Sequence, residues 1–306
     1  AGGISEERME YAFKPAAIPP DADGLNEFGL GMKSASFWLS NKWRIQTSAI
    51  GEEMTKVVSF DIDEIVSKKL THLDVKYTMS PKKDHFTNII LQELTDNGKI
   101  SGHSMPYIKK HISSVYRRFI NNKNPILIFI YNEREAKDKK PLKYVQPKIL
   151  VAPSYKEKNN SKAEEKKWEM KVDVSIKSGQ RMVVSAALLH KMSSQALNGF
   201  SIFRRNRVIQ GSGDEKYRPK ELMGQEGSFL YKRLFGEIDL YNFKVPYSKN
   251  DILGQDSFNE LIKLAKLELE PLLRQGRNFR KEDTKTNQKK LSKQAAKEFQ
   301  KKINDE

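Results

Sequence analysis

The stretch Asn26-Glu27-Phe28-Gly29-Leu30-Gly31-Met32-Lys33-Ser34-Ala35-Ser36 joins a glycine turn to the start of an apolar helix. Gly29 and Gly31 carry no Cβ, so the backbone there is free to take positive φ and to bring N–H groups close to an anion. The residues that follow, Lys33 to Ser40, would add the unpaired amides of a helix N-terminus and a lysine ammonium to the same charge. The pattern therefore predicts a phosphate-binding turn. It also suits a structural loop that feeds a core helix, with Phe37, Trp38 and Leu39 buried.

Upstream, residues 4–13 read as a helix, and residues 14–24 hold Pro15, Pro19, Pro20, Asp21, Asp23 and Gly24, which cannot continue it. A long loop directly before a glycine turn suggests a nucleotide lid. Downstream, residues 43–47, 56–60, 73–79 and 86–91 have strand character and are separated by polar turns. In residues 105–121 the apolar positions Ile108, Ile112, Val115, Tyr116 and Phe119 recur at helical spacing, and residues 126–131 form an apolar run that suits a buried strand. These elements predict a layered α+β domain over residues 1–132.

Lysine and glutamate crowd around Pro141, Pro147 and Pro153, which marks a boundary, and residues 133–276 read as a second domain. Residues 168–176 alternate apolar and polar with period two, a half-buried strand. Residues 181–189 read as a strand continuing into a helix, residues 198–209 as a hairpin turning at Arg205-Asn206, and residues 237–243 as a further strand. A helix over residues 257–274 closes the domain, with Gln275-Gly276 read as its C-cap. Residues 277–306 form a basic helical tail in which ten Lys or Arg face five acids.

The 306 residues are 38% hydrophobic and 31% charged, enough to bury two cores. No apolar run approaches the ~20 residues of a membrane span. With no cysteine there is no disulfide framework, thiolate metal site or cysteine nucleophile, and the five histidines lack ligand spacing, so no metal site is expected. A net charge of +16 and a pI near 9.6 point to a polyanionic partner, with DNA the expectation. The candidate contacts are Arg204, Arg205 and Arg207 in the hairpin and Arg277, Arg280, Lys281, Lys289 and Lys290 in the tail. Ser80-Pro81-Lys82-Lys83 has the spacing of a serine–lysine hydrolase, but its lysine-rich setting reads as a turn.

The order of these features resembles the GHKL ATPases (the gyrase, heat-shock chaperone, histidine kinase and MutL group), and within them a MORC-like or MutL-like branch. Ala1-Gly2-Gly3-Ile4 resembles the end of the family's first glycine motif, and Gly29-Leu30-Gly31-Met32-Lys33-Ser34 the second, after the ATP lid. His85-Phe86-Thr87-Asn88 stands where the family has a Gly-Thr strand, with Phe86 in place of the glycine. Residues 198–209 and Tyr247-Ser248-Lys249-Asn250-Asp251 resemble the transducer domain and its lysine loop.

The resemblance implies a partial GHKL layered sandwich followed by a transducer-type second domain of right-handed β-α-β build. It implies ATP and Mg²⁺ as cofactors and an ATP-driven conformational clamp acting on DNA. Gly3, Gly29, Leu30, Gly31, Met32, Lys33, Ser34 and Thr87 would hold nucleotide, and Lys249 would act as the catalytic cation at the γ-phosphate. In this family the catalytic Glu, the Mg²⁺-binding Asn and the adenine-reading Asp precede or begin the first motif. The chain is accordingly expected to be an N-terminally truncated fragment, inactive alone as an ATP hydrolase. A cytoplasmic setting (nucleoid-associated in a bacterium, nuclear in a eukaryote) and an ATP-dependent homodimer also follow, with no membrane partner. The competing expectation is a non-catalytic nucleic-acid-binding protein whose basic surface is its whole function.

Overall fold

The computed structural model describes residues 2–14, 31–193, 196–213, 215–244 and 254–279. The expected lid, Gly29, Leu30, Lys249 and the tail residues Arg280, Lys281, Lys289 and Lys290 lie outside these. The chain forms two compact units. One comprises residues 1–144 with Arg205–Arg207 and Val245–Asp251, and the other Val145–Arg204, Val208–Lys244 and Ile252–Glu306.

The first unit is built on a four-stranded antiparallel sheet of β1 (Ser40–Ser48), β2 (Met54–Asp61), β3 (Val75–Met79) and β4 (Phe86–Leu94), in the order β3-β2-β1-β4. On β1, Trp43, Ile45 and Thr47 alternate toward one face, and α1 (Glu6–Phe13) and α2 (Gly31–Leu39) pack there. Trp43 stacks on Phe60 with ring centroids 3.8 Å apart, and Phe37 of α2 meets both rings edge-on at 5.3 and 6.0 Å. Phe13 of α1 reaches Phe60 at 5.7 Å, so one aromatic cluster pins both helices. Each such pair is worth about 0.5–1.5 kcal/mol beyond its buried area. Trp38, expected in the core, is instead 65% exposed, because only one side of α2 faces the sheet.

Beyond β2 and β4 come α3 (Ile62–Ser67), α4 (Ser104–Val115) and α5 (Arg117–Ile120). The single helix expected over residues 105–121 is thus two. The chain leaves helical geometry at Tyr116, and Arg117, buried at 2% exposure, turns its guanidinium back to the Ser114 carbonyl (3.0 Å) and over the Tyr144 ring (5.1 Å). Residues 126–131, expected to be a buried strand, belong to no sheet among the described residues, and Ile126 and Leu127 are 55% and 61% exposed. A strand needs a neighbour, and composition does not supply one.

The second unit holds β5 (Val151–Ala152) paired with β6 (Lys166–Lys167), and a five-stranded sheet ordered β10-β9-β11-β8-β7. Its strands are β7 (Glu169–Ser175), β8 (Arg181–Leu188), β9 (Gly199–Arg204), β10 (Arg207–Gln210) and β11 (Leu234–Tyr241). β11 runs parallel to β9 and antiparallel to β8, with α6 (Lys220–Met223) in the connection from β10 to β11. The β9–β10 turn falls at Arg205 (φ 51°) and Asn206 (φ 63°), the positive pair a two-residue type I′ hairpin requires. β8 does not continue into a helix as expected: Leu189 instead forms an isolated antiparallel bridge to Ile149.

α7 (Gln255–Asn278) covers β7 and β8 through Phe258, Leu261, Ile262, Ala265, Leu269, Leu272 and Leu273. It runs through Gln275-Gly276 rather than ending there. A Cβ on Gly276 would lie 2.6 Å from Leu230 and 3.0 Å from Leu188, so the glycine is present for close packing. The Gln275 amide donates to the Pro153 carbonyl (3.0 Å) and accepts from the Tyr155 N–H (2.7 Å).

Arg233, 3% exposed, carries Nε and Nη1 without a hydrogen-bond partner among the described residues, and its guanidinium lies over the Phe279 ring at 5.8 Å. Burial pushes its pKa down. Because an unpaired buried charge is costly while a flexible apolar chain of similar length is not, Arg233→Met should stabilise the second unit by about 1–3 kcal/mol. Differential scanning calorimetry checks this, and a lowered melting temperature would count against it.

Candidate functional site

The residues Gly2-Gly3-Ile4 are laid along the end of β1. The Gly2 carbonyl accepts from the Ile50 N–H (3.2 Å), and the Ile4 N–H donates to Thr47 Oγ1 (2.9 Å). Gly3 sits between them at φ 75°, where a Cβ would lie 1.9 Å from the Ser48 carbonyl oxygen. Only glycine fits this crossing.

Thr47 is fully buried, and its hydroxyl is the hub of the site. Oγ1 also lies 2.8 Å from the Phe86 carbonyl and 2.9 Å from Thr87 Oγ1. A carbonyl can only accept, so the single Thr47 proton goes to Phe86. The Thr87 hydroxyl must then donate to Thr47, which leaves Thr87 Oγ1 free to act as an acceptor. The register pairs Thr47 with Thr87 and Ile45 with Ile89, placing Ile89 two residues along β4 on the same face. Ile89 is 45% exposed, so an open apolar surface adjoins the threonine acceptor. Such a pairing suits a flat ring that carries an N–H donor.

A buried ion-pair network holds this corner in place. Lys56 lies opposite Thr47 in the β1–β2 register and is fully buried; its ammonium pairs with Glu52 and stands 3.8 Å from Glu6. The Glu6 N–H donates to Glu52 Oε1 (2.9 Å) and the Tyr77 hydroxyl to Glu6 Oε1 (2.8 Å), tying the first turn of α1 to β2 and β3. Burial opposes ionisation of Glu52, but the Lys56 ammonium and the Glu6 N–H outweigh it and hold its carboxyl below the usual 4.5. A depressed folded pKa gives stability that is present above 4.5 and lost as pH falls through the lower folded value. Acid unfolding of the first unit should therefore steepen in that window, and Glu52→Gln should flatten it. Unchanged acid titrations by circular dichroism would show that the network is not the acid-sensitive element.

The described part of the glycine turn is the N-terminus of α2. Gly31 opens the helix, exposed, and a Cβ there would meet nothing within 4 Å. Gly31 is thus part of the helix rather than of a turn. Met32 packs into the core cluster with Ile4 and Leu91, and Ser34 is exposed. Lys33 is 8% exposed and donates from Nζ to the Lys14 carbonyl at 2.6 Å; burial pushes its pKa down. Its ammonium is held beside Lys14, the residue that caps the C-terminus of α1, rather than out in solvent.

The structure thus brings Ile4, next to Gly3, and Thr87 together through Thr47, and packs Met32 against the same core as Ile4, while Thr47, Glu6, Glu52, Lys56 and Tyr77 are additions that sequence reasoning had not singled out. The donor set fits a nucleotide: an acceptor beside an apolar wall for a base, and open helix amides for phosphate. Among the described residues no group of three or more His, Cys, Asp or Glu is arranged to hold a metal ion. Residues 80–83 run into a turn, with Ser80 Oγ 3.3 Å from Ser48 Oγ and Lys82 3.5 Å from Glu53. Of the basic candidates, Arg204 donates to the Phe243 carbonyl (3.2 Å), Arg207 lies 6.0 Å from the Tyr116 ring centroid, and Arg277 pairs with Glu270 (3.0 Å). No described helix is long and apolar enough to cross a membrane.

Residues 3–94 match the family model described as histidine kinase-, DNA gyrase B-, and HSP90-like ATPase. The matched stretch begins at Gly3 and ends with β4, so it contains Gly3, Gly31, Lys33, Thr47 and Thr87. It supports the GHKL superfamily, and with it an ATP-binding, ATPase-type function. The mixed α+β architecture, with an antiparallel sheet and several helices, is consistent with a GHKL sandwich followed by a second domain. No curated protein matches the chain.

Proposed function

We propose that the first unit binds ATP in a MORC-like or MutL-like manner, with the base against Ile89 and its amino group donating to Thr87 Oγ1, and the phosphates at the N-terminus of α2. The observation that carries this reading is the Ile4–Thr47–Thr87 hydrogen-bond chain, which unites two motifs 83 residues apart. The backbone amides of Gly29, Leu30, Gly31, Lys33 and Ser34 serve the phosphates, and Lys249 supplies the cation at the γ-phosphate. ATP then drives closure of a homodimeric clamp on DNA, whose phosphates meet Arg204, Arg205, Arg207 and the basic tail. When bound, Mg²⁺ would offset triphosphate charge; this chain's own part is to position the nucleotide.

The test is ATP titration followed by amide chemical shifts. Gly31 and Thr87 should move together, and Thr87→Val should weaken binding roughly fivefold, the worth of one hydrogen bond. Shifts confined to other surfaces at millimolar ATP would overturn the reading. In an ATP-hydrolysing form of the protein, Lys249→Ala should lower kcat with little change in ATP affinity.

The net charge of +16 favours a second reading, nucleotide-independent DNA binding. DNA affinity should fall with salt at a log–log slope of roughly −0.9 per phosphate contacted. A slope unaffected by ATP would favour this alternative over the clamp.

A further inference from the structure

A cavity of about 460 Å³ opens on the second unit, lined by Pro147, Lys148, Ile149, Lys167 and His190. Three backbone segments meet there around Leu150. Its N–H donates to the Leu188 carbonyl (2.7 Å), its carbonyl accepts from the Trp168 N–H (3.0 Å), and the His190 N–H donates to the Lys148 carbonyl (2.8 Å). Ile149 bridges to Leu189, and Lys167 stands opposite Val151 in the β5–β6 pair. Leu150, Leu188 and Leu189 are buried, so the core fixes where the lining residues sit. The polar side chains on this frame are of one kind. Lys148 and Lys167 are exposed, His190 is half-buried, and among the described residues none of the three side chains has a hydrogen-bond or ion-pair partner. Neighbouring Lys166, by contrast, lies over the Trp168 ring at 4.6 Å. No acid lines the cavity.

An ammonium has three donors and no acceptor, so two of them without a carboxylate between them repel a cation and suit an anion. Pro147 and Ile149 add an apolar surface beside the charge, and the volume falls in the range of about 300–1,000 Å³ that holds a small organic group rather than a bare ion. We propose that this cavity receives one nucleotide unit of a DNA strand, whose phosphate oxygens accept from Lys148, Lys167 and the His190 ring while its sugar lies against Pro147 and Ile149. The net charge of +16 favours a polyanion over a single small anion. The site rests on the reading that the chain binds DNA, and it adds contacts apart from the arginine hairpin and the basic tail. A lysine held to a phosphate positions the strand without reading its bases, so these contacts serve every sequence alike.

Affinity of the 306-residue chain for duplexes of unrelated sequence, measured against salt concentration, tests it. Lys148→Ala with Lys167→Ala should make the log–log slope shallower by roughly 0.9 per lysine, equally for every sequence and with unchanged circular dichroism. Lys148→Arg with Lys167→Arg should keep the parent slope. Lys156→Ala with Lys158→Ala, an equal loss of charge at exposed positions away from the cavity lining, should leave it nearly unchanged. If the parent binds DNA but the first double variant keeps its slope, or if the two alanine pairs act alike, the cavity is not a DNA site and DNA binding through the hairpin and tail still stands. A parent that does not bind DNA overturns both. Binding of the parent to vesicles of phosphatidylcholine and phosphatidylserine that is lost in the first double variant, while its DNA slope is kept, would reassign the cavity to a lipid headgroup.

Discussion

Gly3→Val is expected to destabilise the first unit by about 2–4 kcal/mol, whereas Gly31→Val, at an equally suggestive glycine, should leave stability nearly unchanged. The difference lies in what surrounds each Cα. At Gly3 a β-branched residue would be forced to φ 75°, which costs about 1–3 kcal/mol. Its Cβ would also overlap the Ser48 carbonyl oxygen, a backbone atom that cannot swing aside without disturbing β1. The Gly2 and Ile4 hydrogen bonds to Ile50 and Thr47 flank the glycine, so relieving the overlap would break both. At Gly31 the new side chain would enter open space at the first position of a helix. Bound phosphate, though, would need that space. Both variants should lose ATP binding, Gly3→Val with the fold of its corner and Gly31→Val without it. Urea denaturation with nucleotide titration separates them; equal stabilities for the two would mean that the Gly3 crossing relaxes at little cost.

Much of the architecture was legible because alternation and turn chemistry are local. β1 to β4 stand where strand character between polar turns placed them, β7 where period-two alternation did, and the hairpin turns at Arg205-Asn206 as expected. The misses share a non-local cause. Residues 126–131 have the composition of a strand but not its partner, and Gly276 reads as a helix stop although it is a contact point for Leu188 and Leu230. In the site, motif order alone suggested Gly3 and Thr87, but nothing near Thr47 announced that its hydroxyl would join them. Lys56 did leave a signal: Lys56, Val58 and Phe60 fall on one face, so a charge stood at a core-facing position and required a partner. Which acids would answer it, Glu52 in the hairpin and Glu6 at the start of α1, could be seen only once the chain had folded.

That lysine carries the second large effect. Lys56→Met should cost the first unit about 1–3 kcal/mol and weaken nucleotide binding at a distance, even though Lys56 is not placed against the ligand. The ammonium is fully buried, so methionine fills its volume without leaving a cavity. What changes is the pair of carboxylates left behind. Glu52 is only 26% exposed at its side chain and loses the cation that offsets its burial, while Glu6, 53% exposed, can turn to water. The destabilisation should therefore come mostly through Glu52, and should be smaller than for a wholly buried pair, where removing one partner costs about 3–5 kcal/mol. Because Glu52 also accepts the Glu6 N–H, its repulsion would loosen the first turn of α1 and, two residues back, the Ile4 contact with Thr47. Lys56→Met with Glu52→Gln tests that chain of causes, since it removes the stranded charge yet keeps an acceptor for the Glu6 N–H. The double variant should recover most of the lost stability and of the ATP affinity. If it is no better than Lys56→Met, the lysine acts through its packing and the network does not position the site.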